Sequence, residues 1–428
     1  MPNGFRYGEN PMVMRLSRRQ TLYGAAALAG LAGVPALAAS APLSLRRGVN
    51  TWPWFSLTRE YPAPRTDYAW PPFELDRPIP TRRDLVRLRQ AGLDFIRIPV
   101  DPGPFLAAPR HARMLLLDQL RAAVREALNA DLSVVVNIQA NTATHYYTPG
   151  RMMADTAAPL YSDYKDLAIA IATLLGRLDL ARVALEPVNE PPQACDSTAW
   201  NKEQIDLLSS LRAAVPALTL VATGSCGSMI AGLVDLDPAP LFDLEPLLFT
   251  FHFYEPYLFT HQGAPWMSEP IYRSLNAVPW PAAAGSLEKT LAAVRAQMAT
   301  DTQTSAAAKR AAYRDTEKAL KIYFDAQPAR PFIDHYLRMA QAWGKRHGIV
   351  PARILMGEFG ALRSGGRYVA AAPTDQACYI RDVRESAESF GFPWAMWDLF
   401  SGMGLMDDTT HAFDPAIIDA LGLTLPGN

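Results

Sequence analysis

Eight short runs of apolar and β-branched residues recur along this chain, each followed by a polar or aromatic loop and then an amphipathic helical pattern. The runs are Arg47–Thr51, Asp94–Val100, Ser133–Gln139, Arg182–Val188, Leu218–Thr223, Leu247–Tyr254, Arg353–Phe359 and Phe392–Leu399. Helical spacing falls between them at Thr81–Ala91, Ala112–Asn129, Tyr161–Leu178, Asn201–Val215 and Pro331–His347. Strands that alternate with helices run parallel, because each helix returns the chain to the same edge of the sheet. Eight such units predict an α/β fold: a single (β/α)8 TIM barrel with long loops at the strand C-terminal face. A doubly wound open sheet is the competing arrangement, but no Gly-x-Gly-x-x-Gly follows any run.

Two connections are oversized. Thr51–Pro80 follows the first strand and carries seven prolines with Trp52, Trp54 and Trp70. Glu255–Ala352 joins strands six and seven and contains helical patterns near Ser286–Ala299 and Ser305–Ala326. No linker or repeat marks a second domain, so residues 39–428 are read as one barrel with an enlarged segment at about 256–330. Long structured loops at the strand C-terminal ends are where barrel sites are built.

Composition narrows the function. Hydrophobic residues make up 49% and charged residues 19%, which excludes bulk disorder. Lys+Arg 41 against Asp+Glu 42 leaves a formal charge of −1 and no field for nucleic acid. Three cysteines rule out a disulfide scaffold, and neither Cys-x-x-Cys nor His-Glu-x-x-His occurs, so no metal or cofactor is expected. Gly224-Ser225-Cys226-Gly227 lacks the frame of a nucleophile elbow and reads as a turn.

The first 38 residues read as an export signal. Ser17-Arg18-Arg19-Gln20-Thr21-Leu22 precedes an almost uncharged Ala/Gly/Leu stretch, and Ala36-Leu37-Ala38 offers a small-residue cleavage site. The paired arginines resemble a twin-arginine signal, which implies that export machinery as a partner. Pro35 and the Ala/Gly content argue against a lasting membrane anchor. Cleavage removes four Arg and one Glu, moving the formal charge from −1 to −4. The expected destination is the periplasm or beyond. Export would permit a disulfide between Cys195 and Cys226, in the loops after strands four and five; three unpaired cysteines are the alternative.

Glu190, in Leu185-Glu186-Pro187-Val188-Asn189-Glu190-Pro191, closes strand four, and Glu358, in Met356-Gly357-Glu358-Phe359-Gly360, closes strand seven. Strands three places apart set these carboxylates across the barrel mouth from each other. Glycosidic cleavage requires such a pair, one to protonate the leaving oxygen and one to attack or activate water.

Asn189-Glu190-Pro191 and Gly357-Glu358-Phe359-Gly360 together resemble glycoside hydrolase family 5, retaining endoglucanases and mannanases, over about 48–423. The resemblance extends to Arg97 in strand two, His252 and Tyr254 in strand six, and Trp397 in strand eight. It implies Glu358 as nucleophile and Glu190 as acid/base. Arg97 and Tyr254 would favour the ionised Glu358, and Asn189 would bind the sugar 2-hydroxyl. Adjacent residues 189 and 190 cannot both face inward in a regular strand, so a bulge or the strand's end is expected there. One position departs from the family: Gln139 stands where a His is usual, with His145 six residues later as a loop substitute.

Aromatics form the second signal. Trp52, Trp54, Trp70, Trp200, Trp266 and Trp280 all fall in loops after the predicted strands, and pyranose C–H faces pack on indole. About half are expected to be loop cores. Trp397 is expected as the sugar platform, with Trp266 or Tyr257 walling the cleft. The reading is a secreted retaining endo-β-glycosidase acting on a polysaccharide or oligosaccharide, with β-1,4-glucan first. β-Mannan, β-1,3/1,6-glucan or an exopolysaccharide are alternatives inside the family, and a non-catalytic glycan-binding barrel is the alternative outside it.

Overall fold

The computed structural model describes residues 42–426. The export signal and its cleavage site lie outside the described residues. Ten strands are present: β1 Arg47–Asn50, β2 Thr58–Glu60, β3 Tyr68–Phe73, β4 Phe95–Val100, β5 Ser133–Ile138, β6 Val183–Glu186, β7 Thr219–Thr223, β8 Leu247–Phe253, β9 Ile354–Phe359 and β10 Trp394–Met396. Eight of them close a barrel in the order β1-β10-β9-β8-β7-β6-β5-β4, with β4 returning in parallel to β1. All eight neighbouring pairs are parallel. The chain is a (β/α)8 barrel.

Strand periodicity decides which side chains enter the barrel. Phe95, Val135, Ala184, Val221, Leu248, Leu355 and Ala395 make one apolar layer inside, plugged from below by Leu43 and Leu45. The intervening residues, among them Val49, Ile96, Val134, Val183 and Phe249, face outward into the core shared with the helices. Phe95 fills the barrel at the cost of its neighbour: a Cβ on Gly48 would lie 2.4 Å from the Phe95 ring. Apolar filling in this layer pushes every inward polar group to the layers above it, towards the mouth.

The strands stop earlier than the apolar runs do. Those read as Arg182–Val188 and Phe392–Leu399 pair only over Val183–Glu186 and Trp394–Met396. Their last residues leave the ladder to carry side chains into the mouth. Within the first long connection, β2 and β3 form an antiparallel hairpin that local pattern did not reveal. Pro373–Phe390 is a helix that was likewise not singled out. Helix ends follow local chemistry: Thr81 and Asp84 form a reciprocal capping box before Arg82–Ala91, and Gly92 ends that helix at φ 109°.

Trp200 corrects the loop expectation. It lies in the helix Thr198–Ala214, fully buried, and its indole donates to the Thr223 carbonyl at 2.8 Å. Trp280 is also core, donating to Asp382 at 2.9 Å. Trp52 and Trp54 are half-buried, while Trp70 and Trp266 are 54% and 53% exposed.

Because Phe95 is wholly enclosed, truncation leaves a cavity that the closed barrel cannot collapse. Phe95→Ala is expected to cost about 3–5 kcal/mol, measured as a shift in the denaturant midpoint at unchanged slope.

Candidate active site

Above the apolar layer, β4 delivers Arg97 into the barrel with no solvent exposure. All its donors are used. Nε and Nη2 donate to the two carboxylate oxygens of Glu186 at 2.7 and 2.8 Å. Nη1 donates to Glu358 Oε1 at 2.8 Å and Asn50 Oδ1 at 2.7 Å, and Nη2 to Asn189 Oδ1 at 2.8 Å. Asn50 in turn donates to the Gly357 carbonyl at 2.9 Å, which ties the strand carrying Glu358 to β1.

Glu358 ends β9 and is buried. Its second oxygen accepts the Tyr254 hydroxyl at 3.0 Å and lies 3.6 Å from His252 Nδ1. Glu190 points into the mouth from the other side, with its side chain 42% exposed, and its Oε1 lies 2.8 Å from His252 Nδ1. The strand has already ended at Glu186, and Glu190 adopts φ 43°, a left-handed conformation rare for a residue with a Cβ. That reversal lets Asn189 and Glu190 both reach the site, and the strand's end rather than a bulge achieves it. The nearest ligand atoms of Glu190, His252 and Glu358 lie within 4.8 Å of one another. Among the described residues, these are the ones whose spacing would admit a cation.

Burial is the largest influence on Glu358 and carries its carboxyl upward, against the pull of His252 and Arg97; Glu190 adds to the rise. The expectation drawn from Arg97 and Tyr254 alone omitted this desolvation. For His252 burial opposes charging, but the charge of Glu358, then the hydrogen bond with Glu190, raise it above its ordinary value. Tyr254 is held far above the usual phenol range by burial and then by Glu358, so it donates throughout. The result is a compact set of three carboxylates, one guanidinium and one imidazole, in which Glu190 and His252 can share a proton.

The structure brings together Arg97, Asn189, Glu190, His252, Tyr254 and Glu358. Trp397 is half-buried at the same mouth, 6.5 Å centroid to centroid from Trp52, and packs, as Tyr257 and Tyr368 do, against the buried cluster of Tyr254, Ala264, Leu362, Ala370 and Met403. Tyr257 stacks on His261 at 4.8 Å, and Trp266 meets His261 at 6.4 Å and Tyr368 at 6.3 Å. Gln139 lies beside the end of β4, its backbone nitrogen donating to the Val100 carbonyl, and its Oε1 is buried without a partner. His145 does not substitute for it. Its Nδ1 lies 3.0 Å from Glu60 and its Nε2 2.7 Å from the Arg65 carbonyl, so the β2–β3 hairpin occupies both nitrogens.

Four members were missed from sequence: Asn50, Glu186, His261 and Tyr368. Glu186 had a signal, since a charged residue between Leu185 and Pro187 in an otherwise apolar strand has to meet a buried partner. His261 is buried against Tyr254 and Tyr257, and burial pushes it down to about 4. Tyr368 comes from the loop after β9, and nothing local marks it.

Removing one partner of a buried ion pair strands the other. Glu186→Gln is therefore expected to cost about 3 kcal/mol in denaturant unfolding. A second expectation concerns Asp398, next to Trp397. Its Oδ1 accepts Ser401 Oγ at 2.7 Å while Oδ2 is buried without a partner. Burial pushes this carboxyl up to about 8, from an ordinary 3.8. Between those values the unfolded chain releases a proton that the folded protein keeps, so this group's contribution falls as pH rises and levels off above 8. Asp398→Asn should flatten the fall in stability between pH 5 and 8, measured by urea unfolding at each pH.

The cellulase family, glycosyl hydrolase family 5, matches residues 63–402. Endoglucanase C of Acetivibrio thermocellus is 22% identical over 236 residues, covering 52% of this chain and 62% of that relative's length. Among solved structures, the cellulose synthase subunit Z of Clostridioides difficile superposes with a TM-score of 0.61 at 20% identity, over 88% of this chain and 99% of that one. An endoglucanase of Thermotoga maritima gives 0.59 at 19% identity, over 88% and 96%. At such identities the structural likeness speaks for the barrel, and the family match speaks for the lineage. This chain belongs to glycosyl hydrolase family 5.

Proposed function

We propose that this protein is an exported, retaining endo-β-glycosidase, with β-1,4-glucan as its first substrate. The carrying observation is the approach of Glu190, His252 and Glu358 atoms to within 4.8 Å, with Glu358 fixed by Arg97 and Tyr254. Retaining hydrolysis places its two carboxyls roughly 5–5.5 Å apart, whereas inversion leaves room for a water between them.

In the first step the Glu358 carboxylate attacks the anomeric carbon as the glycosidic C–O bond breaks. Glu190 gives its proton to the departing oxygen, leaving a glycosyl ester on Glu358. In the second step a water attacks that carbon, Glu190 takes the water's proton, and Glu358 departs as carboxylate. Arg97 and the Tyr254 hydroxyl stabilise the charge that returns to Glu358 in each step. Arg97 only donates, so it takes the Asn189 oxygen and turns the Asn189 amide nitrogen towards a 2-hydroxyl. The flat faces of Trp397 and Trp52 suit a pyranose at the mouth.

The Thermotoga maritima neighbour has been solved with cellobiose and with mannotriose, which keeps β-mannan as a second substrate. The cellulose synthase subunit neighbour supports a third, a β-glucan that the exporting cell itself makes. A twin-arginine-like signal at residues 1–38 supports the periplasm as the destination.

Glu358→Gln is expected to abolish turnover of a soluble β-glucan while leaving folding and glycan binding intact. Proton NMR of the first product should show retained anomeric configuration; initial inversion would overturn the two-step route. Glu190→Gln should lower turnover of an unactivated glycan by about 10²–10⁴. Trp266→Ala and Tyr257→Ala should reduce kcat/KM more on long oligosaccharides than on short ones, with little change in melting temperature. Equal losses on both would make that wall scaffolding.

A further inference from the structure

The turn after β7 bonds both the chain just after Glu190 and the backbone of His252. Cys226, Gly227 and Ser228 adopt φ values of 62°, 61° and 59°, three successive left-handed residues of which two carry a Cβ. Such a conformation persists only where the surroundings fix it, and here the contacts run in two directions. Towards the Glu190 loop, the Cys226 nitrogen donates to the Gln193 carbonyl at 2.9 Å and the Gly227 nitrogen to the Pro191 carbonyl at 3.0 Å. Ser225 Oγ adds a bond to the Cys195 carbonyl at 2.9 Å. Towards β8, the Ser228 carbonyl accepts the His252 backbone nitrogen at 2.7 Å, while the Ser228 hydroxyl accepts Thr223 Oγ1 at 2.9 Å, back on β7. Cys195 and Cys226 close the arrangement as a disulfide, with their Cα atoms 4.2 Å apart.

Glu190 is the exposed partner in its contact with His252, and its own backbone sits at φ 43°. β6 has ended four residues earlier, and the chain before Glu190 is held at Asn189, whose backbone nitrogen donates to the Ile138 carbonyl at 3.0 Å and whose Oδ1 accepts Arg97 at 2.8 Å. The chain after Glu190 is held by the turn 224–229. It grips the chain immediately after Glu190 with one set of bonds and the backbone of His252 with another.

We propose that the Cys195–Cys226 disulfide is a positioning clamp for the acid/base. It locks the turn after β7 onto the Glu190 loop and so holds Glu190 on the His252 imidazole. The clamp acts through Glu190 and touches no substrate. Opening it weakens proton donation and leaves the Glu358 nucleophile, fixed separately by Arg97 and Tyr254, in place.

This inference rests on the acid/base role proposed for Glu190, and the test separates the two. Free thiols are counted first in the denatured, unreduced protein. One thiol, Cys378, is expected; three would overturn the clamp. The wild type is then compared with itself after reduction by a phosphine, and with Cys195→Ser/Cys226→Ser. Two aryl β-cellobiosides are used, one with a dinitrophenolate leaving group that needs no proton and one with a poor leaving group that does. Opening the clamp should lower kcat/KM on the poor leaving group by about tenfold or more, the lower range of general-acid effects. The activated substrate should change less than twofold on the same scale.

A readout without substrate accompanies this. The His252 Nδ1 proton resonance expected from the contact with Glu190, assigned by its absence in His252→Asn, should broaden or vanish when the disulfide opens. Equal loss on both glycosides, with the His252 resonance intact and only the melting temperature lowered, would reduce the disulfide to a structural staple and overturn the proposal. If the untreated protein cleaves neither glycoside, the glycosidase reading fails, and the His252 resonance still decides the clamp.

Discussion

Arg97 spends five N–H bonds inside a barrel where no water reaches it. A guanidinium has five donors, so none is left over, and together the bonds tie β1, β6 and β9 to β4. Glu186 on β6, Glu358 on β9, Asn50 on β1 and Asn189 after β6 all take their orientation from this one planar group. A lysine would supply the charge but not the fork, and the four acceptors would lose their common plane. The barrel mouth is in this sense assembled around a buried cation, and its carboxylates are placed before any sugar arrives.

Desolvation sets the electrostatics of what is built on that cation. Burial works against ionisation of Glu358 and against charging of His252, while their mutual attraction works for both; Arg97 favours the ionised Glu358 and opposes the charge on His252. Glu190 differs because it is the partly exposed carboxylate, held by His252 alone among these groups. One carboxylate is therefore enclosed and fixed, and the other is accessible and poised on an imidazole. Two-step glycoside cleavage needs that asymmetry, since a single group must give and then take a proton while the other forms a bond.

The loops complete the cleft by packing on each other as well as on the barrel. The Leu362 nitrogen bonds the Thr260 carbonyl, and a Cβ on Gly263 would lie 2.0 Å from the Val369 carbonyl oxygen. Gly263, at φ 74°, is thus the position where the loop after β8 meets the loop after β9. That contact sets Trp266 against Tyr368 and makes one aromatic wall from two segments about a hundred residues apart.

Much of this was written locally. The eight apolar runs and the helical spacing between them determine the barrel, because strand–helix alternation admits few closed arrangements. Glu190 and Glu358 were legible for the same reason, as carboxylates at the ends of runs that a barrel places across its mouth. Arg97, His252, Tyr254 and Trp397 were legible through the resemblance to the family, which carries them in strands two, six and eight. Tertiary structure decided the partners. Whether Gln139 or His145 stood near the site depended on the β2–β3 hairpin, which captures His145 through Glu60 and Arg65. Whether Trp200 was platform or core depended on where its helix began. Asn50 and Tyr368 are ordinary residues in sequence, and their roles exist only as distances to Arg97 or Trp266; Glu186 signals a buried partner but not which one. Periodicity is a property of neighbouring residues and survives in one dimension; a hydrogen bond between strands far apart in the chain appears only when the barrel closes.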